Sequence, residues 1–155
     1  MSVKYKFREP DGCYFVTYAV VDWADVFTRN TYKDILIESW KHCQQHKGLL
    51  IHGYVIMTNH VHMIISRNSG ELLESIMRDM KKFTASKIIE AVQSNKEESR
   101  REWMLSLFGK AGAENSNNKI FQFWRQDNHP ILCDILDMLK RKLNYIHENP
   151  VRAGL

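Results

Sequence analysis

At 155 residues, with 44% apolar and 26% charged side chains, the chain has the make-up of a single globular domain, residues 1–155, with a real hydrophobic core. No apolar run is long enough to span a bilayer, and the charged start from Met1 to Arg8 lacks the apolar segment of a signal peptide. Cys13, Cys43 and Cys133 are odd in number and far apart, which argues against a disulfide framework and for a reduced, cytoplasmic protein, while a net charge of +4 leans mildly towards polyanions.

The arm from Lys4 to Arg8 leads into Pro10, Asp11 and Gly12, a turn signal. Tyr14 to Val21, rich in aromatic and β-branched residues, reads as a first strand. Asp22 to Asn30 reads as a loop. Thr31 stands where it could cap the next helix, with Asp34 in the capping-box position. Tyr32, Ile35, Leu36, Trp40 and Cys43 then recur at helical spacing as far as about His46, and Gly48 is a helix stop. Leu49 to Met57 and His60 to Ser66 form two strands joined tightly through Thr58 and Asn59.

Beyond Gly70 a long helix is expected from Glu71 to about Val92. Its core stripe is Leu72, Leu73, Ile76, Met80, Phe83, Ile88 and Val92, which leaves Arg78, Lys81, Lys82 and Lys87 outside. Residues 94–119 are polar and interrupted, with a short helix around Trp103, Leu105, Leu107 and Phe108 and a loop at Asn115 to Asn118. Ile120 to Trp124 alternates like a strand, and Pro130 to Cys133 reads as an edge strand. Asp134 is placed to cap a last helix with the stripe Ile135, Met138, Leu139, Leu143 and Ile146. This order predicts an α+β, ferredoxin-like sandwich with an antiparallel sheet.

The chemistry centres on His60-Val61-His62. On a strand both histidines share a face, roughly 6.5–7 Å apart at the backbone, close enough to converge on one ion. The plain structural reading is two hydrogen-bonded polar residues at a strand edge. Against it, Val55, Ile56, Met57, Met63, Ile64 and Ile65 make both hairpin strands look central, where unsatisfied polar groups are costly. With no cysteine pair at zinc spacing, oxygen-ligated Mg²⁺ or Mn²⁺ at a phosphate is the better expectation.

A second constellation closes the last helix. Tyr145 and Asn149 are i and i+4 and so share a face beside the Ile146 seam. Taken alone, the tyrosine packs on the sheet and Asn149 ends the helix before Pro150. His42 and His46 also stand i, i+4, but read as a solvated helix face.

The Tyr54-Val-Ile-Met-Thr-Asn-His-Val-His62 approach resembles the HUH tyrosine transposases of single-strand insertion sequences. Phe123-Trp-Arg-Gln-Asp127 and Tyr145-Ile-His-Glu-Asn-Pro-Val-Arg-Ala-Gly-Leu155 look closest to the REP-associated tyrosine transposases. Thr58 departs from that pattern, which usually has proline there, and relatives commonly run on beyond the point where this sequence stops. The resemblance implies that His60 and His62 hold a metal, that Asn149 supplies a third ligand and that Tyr145 is the nucleophile. It further implies a metal-dependent single-strand DNA endonuclease and strand transferase acting at hairpin-bearing DNA through a 5′-phosphotyrosine intermediate. Relatives include homodimers with the tyrosine supplied to the partner's histidines, and monomers complete in one chain; the sequence leaves both open.

Such a protein needs contacts to phosphates and bases. Arg78, Lys81, Lys82, Arg125, Lys140, Arg141 and Lys142 are the candidates, the last three because they lead into the tyrosine turn. Basic residues also interleave with aromatics at Lys4 to Arg8 and at Arg100 to Trp103. Two other classes fit the same residues: a hairpin-binding module that does not cut, and a metal-dependent hydrolase using water, in which Tyr145 is structural.

Overall fold

The computed structural model describes residues 6–68, 70–115 and 120–154; Lys4, Tyr5 and most of the expected Asn115 to Asn118 loop lie outside them. A strand β1 (Tyr14–Ala19) leads through a short 3₁₀ turn (Val21–Trp23) to helix α1 (Asn30–His46). Strands β2 (Leu49–Ile56) and β3 (His60–Arg67), helices α2 (Leu73–Ser94) and α3 (Arg101–Ala113), a short β4 (Ile131–Leu132) and helix α4 (Leu136–Arg152) complete it. The strands form one four-stranded sheet in the order β2-β3-β1-β4, with every pairing antiparallel. This is the ferredoxin-like arrangement expected, with α4 added on the other face of the sheet.

Alternation along the strands builds two unequal cores. Val16, Tyr18, Val61, Met63 and Ile65 face α1 and α2, which bury Leu36, Trp40, Ile76 and Met80 against them in the larger cluster. Phe15, Val55, Met57 and Ile64 point the opposite way and meet Ile146, Leu139 and Leu143 of α4. A β-bulge between Ile51 and Gly53 lets β2 serve both faces: Ile51 pairs with Ile65, whereas Gly53 pairs with Ile64. Gly53 gives α4 room, since a Cβ there would stand 2.9 Å from Leu143 Cδ2.

Several expected details shift. Helix α1 starts at Asn30 after Arg29, with no side-chain cap, so neither Thr31 nor Asp34 forms the expected capping box. Arg29 instead pairs with the buried Glu98 at 3.0 Å, a tertiary contact that fixes the helix start. In α2 the buried stripe runs through Leu73, Ile76, Met77, Met80, Thr84 and Ile88, leaving Leu72 and Phe83 exposed. Thr84 takes the place expected of Phe83 because its hydroxyl donates to the Met80 carbonyl at 2.8 Å and accepts from Trp124 Nε1 at 3.0 Å. Helix α4 has no side-chain cap from Asp134 and leaves Ile135 exposed.

The expected Ile120 to Trp124 strand is a bare track rather than a ladder: Val20 bridges Trp124, and Arg125 N–H donates to the Ala19 carbonyl at 2.8 Å. His129, at φ 40° just before Pro130, breaks this edge and confines β4 to Ile131 and Leu132.

One buried carboxylate ties the periphery to the β2–β3 turn. Glu98 accepts from Arg29, Arg100 and Tyr32, and Arg100 also donates to the Asp25 carbonyl at 2.7 Å. That loop in turn holds the hairpin, through Thr58 Oγ1 to Asp25 Oδ1 at 2.7 Å and Phe27 N–H to the Thr58 carbonyl at 2.8 Å. The departure at Thr58 thus gains a hydroxyl anchor for the turn before His60. Glu98→Ala leaves both guanidinium groups without this acceptor, and urea unfolding is expected to show a loss of about 2 kcal/mol with an unchanged m-value.

Candidate active site

Pairing of β1 with β3 sets Thr17 opposite His62 and Ala19 opposite His60. Both histidines therefore lie on the α4 face, as their spacing predicts. Their rings meet edge-on with centroids 4.8 Å apart. Phe15 stacks on His62 at 5.1 Å, and Tyr145 reaches down from α4 to stand 5.3 Å from His62 and 6.0 Å from Phe15, edge-on to each. Lys142, a turn before Tyr145, lays its Nζ 4.7 Å from the centre of the Phe15 ring. Tyr145 and the histidine pair thus come together within one chain.

Neighbouring polar groups orient each imidazole. Asn59 Nδ2 donates to the Trp23 carbonyl at 3.3 Å, which turns Oδ1 towards His60 Nδ1, 2.7 Å away. A carboxamide oxygen only accepts, so Nδ1 of His60 carries the proton and its Nε2 keeps the lone pair. His62 Nδ1 lies 2.8 Å from Thr17 Oγ1, and His62 Nε2 is buried with no hydrogen-bond partner among the described residues. Among the described residues no third His, Cys or carboxylate completes a metal site, so any further donor must be of another kind.

Burial sets the charge state. His62 is only 6% exposed, and its pKa is pushed down to about 4 by burial first, then by the positive charges of His60 and Lys142. Burial also lowers His60. Around pH 7 both rings are neutral, the form that offers a lone pair.

Tyr145 is 42% exposed beside the fully buried Ile146, with its ring edge-on to His62 and Phe15. Asn149 is half-buried one turn further along the same face. The helix does not end there: it continues through Pro150 to Arg152, and the Asn149 carbonyl accepts from Ala153 N–H at 3.1 Å. His147 is exposed, and Glu148 is paired with Arg152 at 2.8 Å, away from the site. His42 and His46 lie side by side on the exposed side of α1, their rings tilted with centroids 4.7 Å apart, as a solvated pair should.

The basic candidates fall into two groups. Lys142 is at the site, while Lys140 and Arg141 lie exposed on α4, with Arg141 paired to Asp137 at 3.5 Å. Arg78, Lys81, Lys82 and Arg125 line a separate groove of about 1070 Å³ between α2 and the 121–128 segment. Lys81 is engaged there in holding that segment, donating to the Arg125 carbonyl at 2.8 Å and Asn128 Oδ1 at 2.9 Å. Arg100, in the expected Arg100 to Trp103 cluster, is likewise committed to Glu98. Thr17, Phe15 and Asn59 are site residues that sequence reasoning missed, and only Asn59, adjacent to His60, carries a positional hint.

Residues 15–126 match the family described as "Transposase IS200 like". The chain belongs to the IS200-like transposase family. The matched span includes His60 and His62 and ends before α4, so the place of Tyr145 in this transposase rests on the packing of that helix. No curated protein matches the sequence. Among solved structures, the transposase is similar to a REP-associated tyrosine transposase bound to a REP hairpin, with 17% identity, a TM-score of 0.67 and coverage of 99% of this chain and 75% of that one. It is also similar to a putative transposase from Deinococcus radiodurans R1, with 12% identity, a TM-score of 0.49 and coverage of 88% of each chain. The first likeness supports the fold. Among the described residues no helix is long and apolar enough to cross a membrane.

The depressed His62 pKa has a signed consequence. Between an unfolded value near 6.5 and the folded value of about 4, the unfolded chain binds more protons. The contribution of neutral His62 to stability is complete above pH 6.5 and is lost as pH falls towards 4. His62→Gln should flatten the Tm against pH profile in that window and leave its slope above pH 7 unchanged.

Proposed function

We propose that this transposase nicks single-stranded DNA beside a hairpin and rejoins strands through a 5′-phosphotyrosine on Tyr145. The observation that carries the reading is the phenol of Tyr145 set against His62, a neutral buried histidine whose Nε2 lacks a partner. A buried polar atom in that condition costs about 1–3 kcal/mol, which a ligand at the site offsets. The hairpin substrate follows the structural relative solved with a REP hairpin and the family's chemistry.

The donors suit a divalent ion. Two neutral imidazoles with free Nε2 atoms, together with the Asn149 carboxamide oxygen, are a mixed nitrogen and oxygen set compatible with Mn²⁺ or Mg²⁺ when phosphate oxygens and water complete the shell. Bound by His60, His62 and Asn149, the ion would supply charge neutralisation and polarisation at the scissile phosphate.

The chain's own residues do the rest. Tyr145 Oη attacks phosphorus, the bond from phosphorus to the 3′ oxygen breaks, and the phenolic proton leaves for solvent as the 3′ oxygen gains one. The products are a 5′-phosphotyrosine and a free 3′-hydroxyl. A second 3′-hydroxyl attacking that link restores Tyr145 and joins the strands without an external energy source. Phe15 and His62 hold the phenol ring from below, and Lys142 brings positive charge to the phosphate side. Thr17 and Asn59 fix the two imidazoles, so the donors are oriented before substrate arrives. Both halves of the site come from one chain, and we read it as acting without a residue from a second subunit.

Incubating the protein with Mn²⁺ and a hairpin oligonucleotide carrying single-stranded flanks should give a covalent adduct visible on a denaturing gel. Tyr145→Phe should give none; an equal yield would remove Tyr145 as the nucleophile. Hairpin binding without any adduct in the wild type would instead indicate a binding module. Asn59→Ala frees the His60 ring, and Mn²⁺ affinity measured calorimetrically should fall about 10-fold or more while folding is retained.

A further inference from the structure

Trp23 sits in an unusual place for a large apolar side chain. It is 49% exposed, and both it and Asp22 have φ of 53°, in the left-handed region that non-glycine residues rarely occupy. Two such residues in succession are maintained by bonds on every side. Trp23 N–H donates to the Val20 carbonyl at 3.0 Å, Val21 N–H to the Phe123 carbonyl at 2.9 Å, and Asn59 Nδ2 to the carbonyl of Trp23 itself. The result is an indole held edge-on to His60 at 5.8 Å, with the Arg125 guanidinium 5.7 Å from its centre. Trp40 and Trp124 are buried in the core, and Trp103, 52% exposed, lies on α3. Burial does not account for Trp23.

Its neighbours indicate what it faces. His60 stands against the indole, and Arg125, whose guanidinium lies over the ring, also lines the groove of Arg78 and Lys82. A strand whose phosphate lies at the histidine pair and whose backbone continues towards that basic groove passes the indole. An exposed, rigidly held aromatic ring beside a cation is the element that binds an unstacked nucleobase.

We propose that Trp23, with Arg125, is a stacking platform for an unpaired nucleobase next to the phosphate attacked by Tyr145. It deepens the functional reading above and rests on it. A base still paired in a duplex has its faces covered by its neighbours, so the platform selects single-stranded DNA at the point of attack. Stacking tolerates any base, so this contact favours an unpaired nucleotide without reading its identity. Because Asn59 bonds both the Trp23 carbonyl and the His60 ring, the platform and one imidazole are held by the same side chain.

The test is an abasic scan. Once the wild-type adduct has located the cleaved bond, each flanking nucleotide is replaced in turn by an abasic analogue. Binding is then measured by fluorescence anisotropy with the full-length Tyr145→Phe protein, and adduct rate with the wild type. One flanking abasic site should weaken binding about ten-fold. Adding Trp23→Ala should weaken binding to the intact oligonucleotide by a similar factor and abolish the penalty of that abasic site. Trp23→Phe, which keeps a ring, should retain most of both. If no flanking abasic site weakens binding, or if Trp23→Ala leaves the penalty intact, the platform is overturned; the first comparison needs no tryptophan variant to fold. A wild type that forms no adduct on any oligonucleotide overturns the functional reading and the platform with it, whereas adduct formation without an abasic penalty overturns the platform alone.

Discussion

The register between β1 and β3 is the constraint on which this structure depends. Side chains alternate along a strand, so a slip of one residue would carry His60 and His62 into the core under α1 and α2 and expose Val61 and Met63 to the α4 face. The observed pairing is fixed from both sides. Val16, Tyr18, Val61, Met63 and Ile65 fill the larger core, and Thr17 reaches His62 only because the two are directly opposed. The chemistry of the site is therefore secured by the apolar residues between its polar ones.

Helix α4 is joined to this frame by a thinner seam. Ile146 is its only buried residue among those described, helped by the partly buried Met138, Leu139 and Leu143 over Gly53. The seam is sufficient to lay Tyr145 on His62 and to take His62 out of water, which is what depresses its pKa. The same helix thus supplies the phenol and, with Phe15 and Thr17 of β1, helps to bury the ring beneath it. Moving α4 would shift the phenol and expose more of His62 together, so the two are joined through one packing contact.

Much of this was legible in the sequence. The two-residue period of His60, Val61, His62 and Met63 placed the histidines on one face, and the core stripe continuing through Ile146 placed Tyr145 beside the seam. The ferredoxin-like order followed from the succession of patterns. What was not legible depended on tertiary partners. Thr84 outranks Phe83 in the core of α2 because Trp124 bonds to it, and the start of α1 is set by Glu98, nearly seventy positions away. The broken edge after Trp124 follows from His129 and Pro130. Thr17 could not be assigned to the site without the strand register, and Trp23 looked like a loop residue because left-handed backbone leaves no periodic trace.

The site also shows a tension between folding and function. Phe15, Tyr145 and Thr17 surround His62, whose Nε2 is buried and has no hydrogen-bond partner among the described residues. An apolar residue of similar size would remove the unsatisfied imidazole nitrogen, so stability alone does not favour histidine here. Asn59 compounds the case, because it holds the neighbouring His60 in the one tautomer that leaves Nε2 with its lone pair. Two neutral imidazoles, each oriented through Nδ1 and each unbonded at Nε2 in the contacts described, are arranged for a ligand that the folded chain does not itself contain. The orientation of these rings therefore favours a bound ligand here independently of the family to which the chain belongs.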